Sequence, residues 1–398
     1  MALDPLTILT SDWARQFVLD HERSDINKLL LNPPPEAQGH INLLVDQITS
    51  RRKAIKKLRT WYNHPGIIWP PPLSIEQSSS EEAATYKKQL ITGQRLIDLT
   101  GGMGIDCMAL SERFKETVYV ECSEWLCTLM RHNAKVFDKD IRVQGTDAME
   151  FLSDLDLSDL QDTTFYIDPA RRNEHKKVVL LEDCEPDVTS IIPKLVAAGS
   201  QVLLKTSPLL DITAVTQTLR GLSKIHIVAV KNEVKEVLYL YSADAKDDPT
   251  LTAINLETTQ PVITFQQEWE DHAVPQMASE AVSGSYLYEP NAALLKAGVF
   301  KWVSEKWELK KLDVHTHLYV CNELVPDFPG RTFKLLGLLD KKAMTKLSNQ
   351  SVHVVSRNHP LSVNEIRKRY KLKEGGDEYV IAVRVGGKPV FLHARPSN

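Results

Sequence analysis

Long apolar runs are missing from this chain. No stretch of its 398 residues is apolar enough to cross a bilayer, and the longest apolar segments carry charges nearby. The opening MALDPLTILTSDWARQF has neither the basic start nor the small-residue cleavage site of a secretory signal. Cysteine is scarce. The five thiols, Cys107, Cys122, Cys127, Cys184 and Cys321, are odd in number and lack a paired CxxC spacing, which argues against a disulfide framework and a zinc site. The expectation is a cytoplasmic protein with reduced thiols, no metal and no membrane partner. Internal repeats and long low-complexity segments are also absent. What is present, 42% hydrophobic and 25% charged residues, is ordinary globular composition, and the length suggests two to four domains.

Charge is unevenly placed. From Arg331 onward there are fourteen Lys or Arg against five Asp or Glu, a local +9 in a chain of net −4. A basic tail on an acidic body suits a module that binds a polyanion, although a solvated basic surface has the same composition.

Residues from about Thr10 to Trp61 read as helical, broken by Pro33-Pro34-Pro35. The run Arg51 to Arg59 reads as a basic helix with a solvated face rather than an RNA contact. Trp69-Pro70-Pro71-Pro72 is a stiff connector, and Ser78-Ser79-Ser80-Glu81-Glu82 caps a helix running to Leu90. Beyond Arg95, strand-length apolar runs alternate with helical stretches at Leu96–Leu99, Thr117–Val120, Ile141–Val143, Thr164–Ile167, Gln201–Leu204, Lys224–Val230 and Val237–Tyr241. That alternation implies βαβ units and a parallel sheet. Only Lys231–Glu236 joins the last two runs, too short for a crossover helix, so the final strand should be antiparallel. From Leu251 the texture becomes strand-like, with a helix expected at Asn291–Phe300. The tail reads as a small α+β module: a strand at Ser351–Val355, a capping box of Ser362 and Glu365, and a hairpin turning at Gly386-Gly387-Lys388-Pro389.

The chemistry is concentrated where strands end. Leu96-Ile97-Asp98-Leu99-Thr100-Gly101-Gly102-Met103-Gly104-Ile105-Asp106 takes a strand through a glycine-rich turn into a helix. Such glycines permit a tight turn and the close approach of a ligand, and the helix start offers free N–H groups. A dinucleotide would want a further glycine, but Cys107 stands three residues beyond Gly104. The second strand ends in Glu121, placed to meet ribose hydroxyls for either ligand. The third ends at Asp147 and the fourth in Asp168-Pro169-Ala170-Arg171-Arg172. Polar residues at all four ends line the carboxyl edge, where open α/β sheets bind ligands.

The series Asp98, Gly102-Met103-Gly104, Glu121, Asp147 and Asp168-Pro169-Ala170-Arg171 resembles the class I S-adenosylmethionine-dependent methyltransferases. The resemblance implies a Rossmann-like seven-stranded α/β sheet with S-adenosyl-L-methionine as cofactor. The turn of Thr100, Gly101, Gly102 and Gly104 would then hold the methionine moiety beside Asp98, with Glu121 on the ribose and Asp147 on the adenine amino group. Asp106 and Ala148 complete the implied cofactor contacts, and Asp168, Pro169 and Arg171 form the implied transfer site. Thr100 departs from the commonest pattern, which has glycine there.

The whole chain is similar to a bacterial methyltransferase family with a C-terminal THUMP-like domain. Leu73-Ser74-Ile75-Glu76-Gln77-Ser78-Ser79, Asn232-Glu233-Val234-Lys235-Glu236 and Glu289-Pro290-Asn291-Ala292 also carry this likeness. It implies an N-terminal helical domain over 1–72, a methyltransferase domain over 73–245, a ferredoxin-like connecting domain over 246–330 and an RNA-binding THUMP-like domain over 331–398. RNA is the implied substrate. Arg357, Arg367, Lys368 and Arg369 in the tail, with Arg172 and Lys205 beside the transfer segment, are the expected RNA contacts.

Ala170-Arg171 replaces the proline-aromatic pair common in enzymes that methylate exocyclic base nitrogens, and Arg171 could stack by its guanidinium plane. Neither the fourth strand end nor Lys205-Thr206-Ser207-Pro208 at the fifth offers the cysteine nucleophile of covalent pyrimidine chemistry. Direct transfer to a base nitrogen, with Asp168 orienting the acceptor, is the favoured reaction. The competing readings are a non-catalytic RNA-binding protein with this fold and a methyltransferase for a protein or small molecule. An NAD-dependent oxidoreductase is a more distant one.

Overall fold

The computed structural model describes residues 4–171, 181–245 and 248–397. Chain contacts divide it into two compact units, Met1–Ser223 with Leu238–Asp247, and Lys224–Val237 with Asp248–Asn398.

The first unit opens with short capped helices. Asp4, Ser11 and Asp25 each accept a backbone N–H at a helix start, before Pro5–Thr10, Asp12–Asp20 and Ile26–Leu31. These bury Ile8, Leu9, Phe17 and Leu29 against Leu44, Val45 and Ile48 of the helix Ile41–Lys57. The basic run that starts on that helix is partly solvated, with Lys53, Lys56 and Arg59 exposed, and partly engaged. Arg51 donates to Glu22 and to the Tyr62 carbonyl, Arg52 to the carbonyls of His21, Glu22 and Ser24, and Lys53 pairs with Glu76. Its engaged cations brace neighbouring segments. The connector before the prolines is buried too. The Gln47 amide donates to Trp69 O at 2.7 Å and accepts from Trp69 N at 2.8 Å, while Asn133 does the same for Ile68 at 2.9 and 3.1 Å. Two side-chain amides thus satisfy an extended backbone as a strand would.

The parallel sheet follows: β1 (Arg95–Asp98), β2 (Glu116–Glu121), β3 (Arg142–Gly145), β4 (Thr163–Ile167) and β5 (Gln201–Thr206). Their spatial order is β3-β2-β1-β4-β5, every pair parallel. Leu96, Ile97, Val118, Val120, Phe165, Ile167 and Val202 to Leu204 are buried; parallel strands covered on both faces read as unbroken apolar runs. The order reverses at β1, so the chain leaves β1 and β4 in opposite directions. A crevice opens at such a switch point, at the strands' carboxyl ends.

Next come the strands Leu222–Val230 (β6) and Glu233–Tyr241 (β7). Their turn is only Lys231-Asn232, both left-handed at φ 50° and 66°, which is hairpin geometry. The antiparallel closing strand is as expected, with a shorter connection because residues 233–236 extend β7. In the second unit Thr250–Leu256 (β8) runs parallel to β6, and Ile263–Gln266 (β9) runs antiparallel to β8. An eight-stranded sheet follows, built on the central strands Tyr286–Pro290, Gly330–Leu338, Lys388–Pro396 and Tyr379–Val385. The single helix expected at Asn291–Phe300 is two, because left-handed Gly298 (φ 78°) ends Ala292–Ala297 before Phe300–Lys306 begins. In the tail the capping box of Ser362 and Glu365 is formed, and Gly386-Gly387 alone makes the hairpin turn. Among the described residues, no helix is long and apolar enough to cross a membrane, and no group of three or more His, Cys, Asp or Glu could hold a metal ion.

Candidate active site

The switch point brings the first and fourth strand ends together. The Thr100 hydroxyl, just past β1, accepts the Asp168 backbone N–H at 2.7 Å. Thr100 N in turn donates to Asp98 Oδ1 at 3.0 Å. Threonine at the position where glycine is commoner is therefore the tie between the turn and the Asp168-Pro169 segment. Asp98 is 1% exposed. Burial pushes its carboxyl up to about 8, and the charges of Asp106, Asp168 and Glu121 push the same way against the Thr100 hydrogen bond.

The glycines differ in what they accommodate. A Cβ on Gly101 would lie 2.3 Å from the Tyr119 ring, and one on Gly104 (φ 85°) 2.6 Å from Met130 Sδ. Those two make room for the protein's own core. The Tyr119 hydroxyl also donates to Gly102 O at 2.6 Å. Gly102 is the open one: it sits at φ 55°, and a Cβ there would meet only Thr100 O at 3.6 Å. Its N–H donates to Glu121 Oε2 at 2.9 Å, while Glu121 Oε1 accepts from Ser123 N at 2.8 Å. The second strand's carboxylate is thus fixed against the turn, with Oε1 also accepting from Cys122 Sγ and a lone pair to spare on Oε2.

Asp106 belongs to a buried polar cluster. Its Oδ2 accepts from Ser79 Oγ at 2.7 Å and Tyr166 OH at 2.6 Å, and Lys87 Nζ lies 3.1 Å from Oδ1. Burial opposes its ionisation, yet the charges of Lys87 and Lys205, with the Tyr166 and Ser79 hydrogen bonds, keep its carboxyl below the usual range. Asp147 is exposed and caps the helix Ala148–Ser153, accepting from Met149 N at 2.8 Å; Ala148 behind it is buried.

Lys205 is the residue whose setting the sequence reading missed. One register step beyond the pair Ile167 and Leu204, its ammonium forms an ion pair with Asp168 Oδ2. With a side chain 11% exposed against 36% for Asp168, Lys205 serves that carboxylate from within rather than offering a surface to phosphate. Pro169 is half-buried. Ala170–Arg171 pairs antiparallel with Cys184–Glu185, and Arg172 lies outside the described residues. Cys184, brought close by that pairing, is 2% exposed.

The tail cations also sort themselves differently from expectation. Arg357 Nε donates to Glu289 Oε1 at 2.8 Å, and Arg331 grips the other oxygen of the same carboxylate, itself 5% exposed. Arg367 is paired with Glu374, which also bonds His353. Those two arginines neutralise the protein's own acids. Lys368 and Arg369 are exposed.

Several known proteins share this organisation. Residues 286–329 match a family described as a ferredoxin-like domain, and residues 330–396 one described as THUMP domain-like. The chain is similar to the crystal structure of a proposed methyltransferase from Porphyromonas gingivalis W83, with 31% identity, 100% of both chains covered and a TM-score of 0.86. Proteins from two Mycobacterium tuberculosis strains, CDC 1551 / Oshkosh and H37Rv, are 20% identical over 351 residues, covering 86% of this chain and 92% of theirs. Both are named uncharacterized S-adenosylmethionine-dependent methyltransferases.

Proposed function

Since the chain belongs to the family of S-adenosylmethionine-dependent methyltransferases with C-terminal ferredoxin-like and THUMP-like domains, we propose that it methylates a base nitrogen of RNA in the cytoplasm. The observation that carries the proposal is the Thr100 hydroxyl bonded to Asp168 N. It sets the glycine turn and the Asp-Pro segment side by side at one crevice.

The residues at that crevice fit the cofactor. Gly102 leaves open space where a Cβ would stand, and Glu121 and exposed Asp147 offer carboxylate oxygens to hydroxyl and amino donors. Asp98, with Thr100, meets the methionine end. The cofactor supplies a methyl group activated on a positive sulfur. Asp168 would accept a hydrogen bond from the acceptor nitrogen and so direct that nitrogen's lone pair at the methyl, the proton lost by the methylated nitrogen passing to solvent. Lys205 pairs with Asp168 and fixes its direction, so orientation is prepared before the acceptor arrives. Transfer is direct, because Cys184, the thiol nearest Arg171 in the strand pairing, is buried. The THUMP-like tail delivers the RNA. The four-segment division at residues 72, 245 and 330 belongs to the same proposal.

The test is label transfer from S-adenosyl-[methyl-³H]methionine to total RNA of a strain lacking the gene. Wild type labels the RNA, and Asp168→Ala does not, although equilibrium dialysis finds its cofactor affinity retained. Full labelling by Asp168→Ala would remove Asp168 from the mechanism.

A further inference from the structure

With Arg357 and Arg367 engaged by Glu289 and Glu374, Lys368 and Arg369 are the expected tail contacts left exposed, and the tail carries a further basic surface beside them. The short helix Lys341–Lys346 supplies it. Lys341, Lys342 and Lys346 are exposed and, with Thr345, line a single depression of about 500 Å³. Lys342 and Lys346 stand one turn apart on the same face.

This helix breaks the rules that stabilise helices. Its first turn has no acidic residue and two lysines, where the positive end of the backbone dipole disfavours cations. Lys342 and Lys346 are like charges at i, i+4, which repel. The Asp340 carboxylate at the N-cap eases the first defect, and the second stands. None of the three lysines makes an ion pair among the described residues. Four of the five acids beyond Arg331 are otherwise engaged: Asp340 caps this helix, Glu365 closes the Ser362 box, Glu374 serves Arg367 and His353, and Glu378 serves His393. The field is extended by Lys371 and Lys373, both exposed, whose backbones bond to Asn349 and Gln350 just after the helix. Local choices that oppose stability mark a functional surface more often than a structural one.

We propose that Lys341, Lys342 and Lys346 form the phosphate-gripping face of the tail, receiving the sugar-phosphate backbone of the RNA substrate. The inference rests on the RNA reading above and adds which residues carry it. The contact is one of charge, so it is sequence-independent and sensitive to salt, with each phosphate neutralised contributing about 0.7 to 0.9 to the slope of log affinity against log salt.

The experiment is fluorescence anisotropy of the full-length protein with a fluorescein-labelled RNA hairpin, titrated at salt from about 0.05 to 0.3 M. Lys341→Gln, Lys342→Gln and Lys346→Gln together should lower the slope by about two to three and weaken binding about tenfold to a hundredfold at 0.1 M salt. The melting temperature should hold or rise, because the substitutions relieve the repulsion. Lys306→Gln with Lys310→Gln, exposed lysines in the ferredoxin-like residues, is the charge control and should leave the slope near wild type. A wild-type slope in the triple variant overturns the assignment while leaving RNA binding intact, and so does an equal loss in the control. Absence of salt-dependent binding by the wild type overturns the RNA reading itself.

Discussion

Asp98 gives the most quantitative handle on the cofactor site. It is 1% exposed, and burial above all raises its carboxyl to about 8. In the free protein at pH 7 about one molecule in eleven then carries the charge, and at pH 6 about one in a hundred. The methionine end of the cofactor carries an ammonium group, which an ionised Asp98 would attract and a neutral one would not. Binding must therefore expel a proton. Below pH 8 the affinity should fall about tenfold per pH unit, or about 1.4 kcal/mol, and flatten above it. Isothermal titration calorimetry in phosphate and in Tris, whose ionisation enthalpies differ, counts the protons. About 0.9 should be released per cofactor bound at pH 7. Asp98→Asn keeps an acceptor for Thr100 N but cannot ionise, so it should bind weakly with no release and no slope. Equal affinity at pH 6 and pH 8 with no proton release would refute the reasoning.

The glycine turn makes two opposite predictions. Gly102→Val, with only Thr100 O near its Cβ position, should lose cofactor binding in dialysis while costing about 1–2 kcal/mol of stability through its left-handed backbone. Gly101→Ala drives a methyl into the Tyr119 ring and should cost about 1–3 kcal/mol, seen as a lower denaturation midpoint. Lys87→Met strands the buried Asp106 charge and should cost about 3–5 kcal/mol at neutral pH, read by the same denaturant titration.

The sheet was legible because parallel strands covered on both faces are written as plain apolar runs, and because Asp98, Glu121 and Asp168 punctuate their ends. The short hairpin linker announced the antiparallel closing strand for the same local reason. What the sequence hid was pairing across distance. Arg357 looks like a free cation until Glu289, 68 residues away, is seen beside it. Lys205 reads as a surface lysine because nothing local says that its strand lies in register with Asp168. Gly101 and Gly104 read as openings for a ligand, and only the fold shows that Tyr119 and Met130 occupy the space their missing side chains leave. Ser79 stood in a segment read as a helix cap and matched by resemblance, and only the fold gives it its own task, bonding the buried Asp106. Lys341 and Lys342 were counted in the charge of the tail. Their position at a helix start, which makes them informative, appears only once the helix ends are known.

The central claim is that Asp168, tied by Thr100 to the glycine turn and by Lys205 from β5, orients a base nitrogen of RNA for methylation. Nucleosides from the RNA of a gene-deletion strain, its parent, and the deletion complemented with wild type or Asp168→Ala would be compared by mass spectrometry. An N-methylated nucleoside should vanish on deletion, return with the wild-type gene and stay absent with Asp168→Ala. Identical nucleoside profiles in all four strains would contradict the claim.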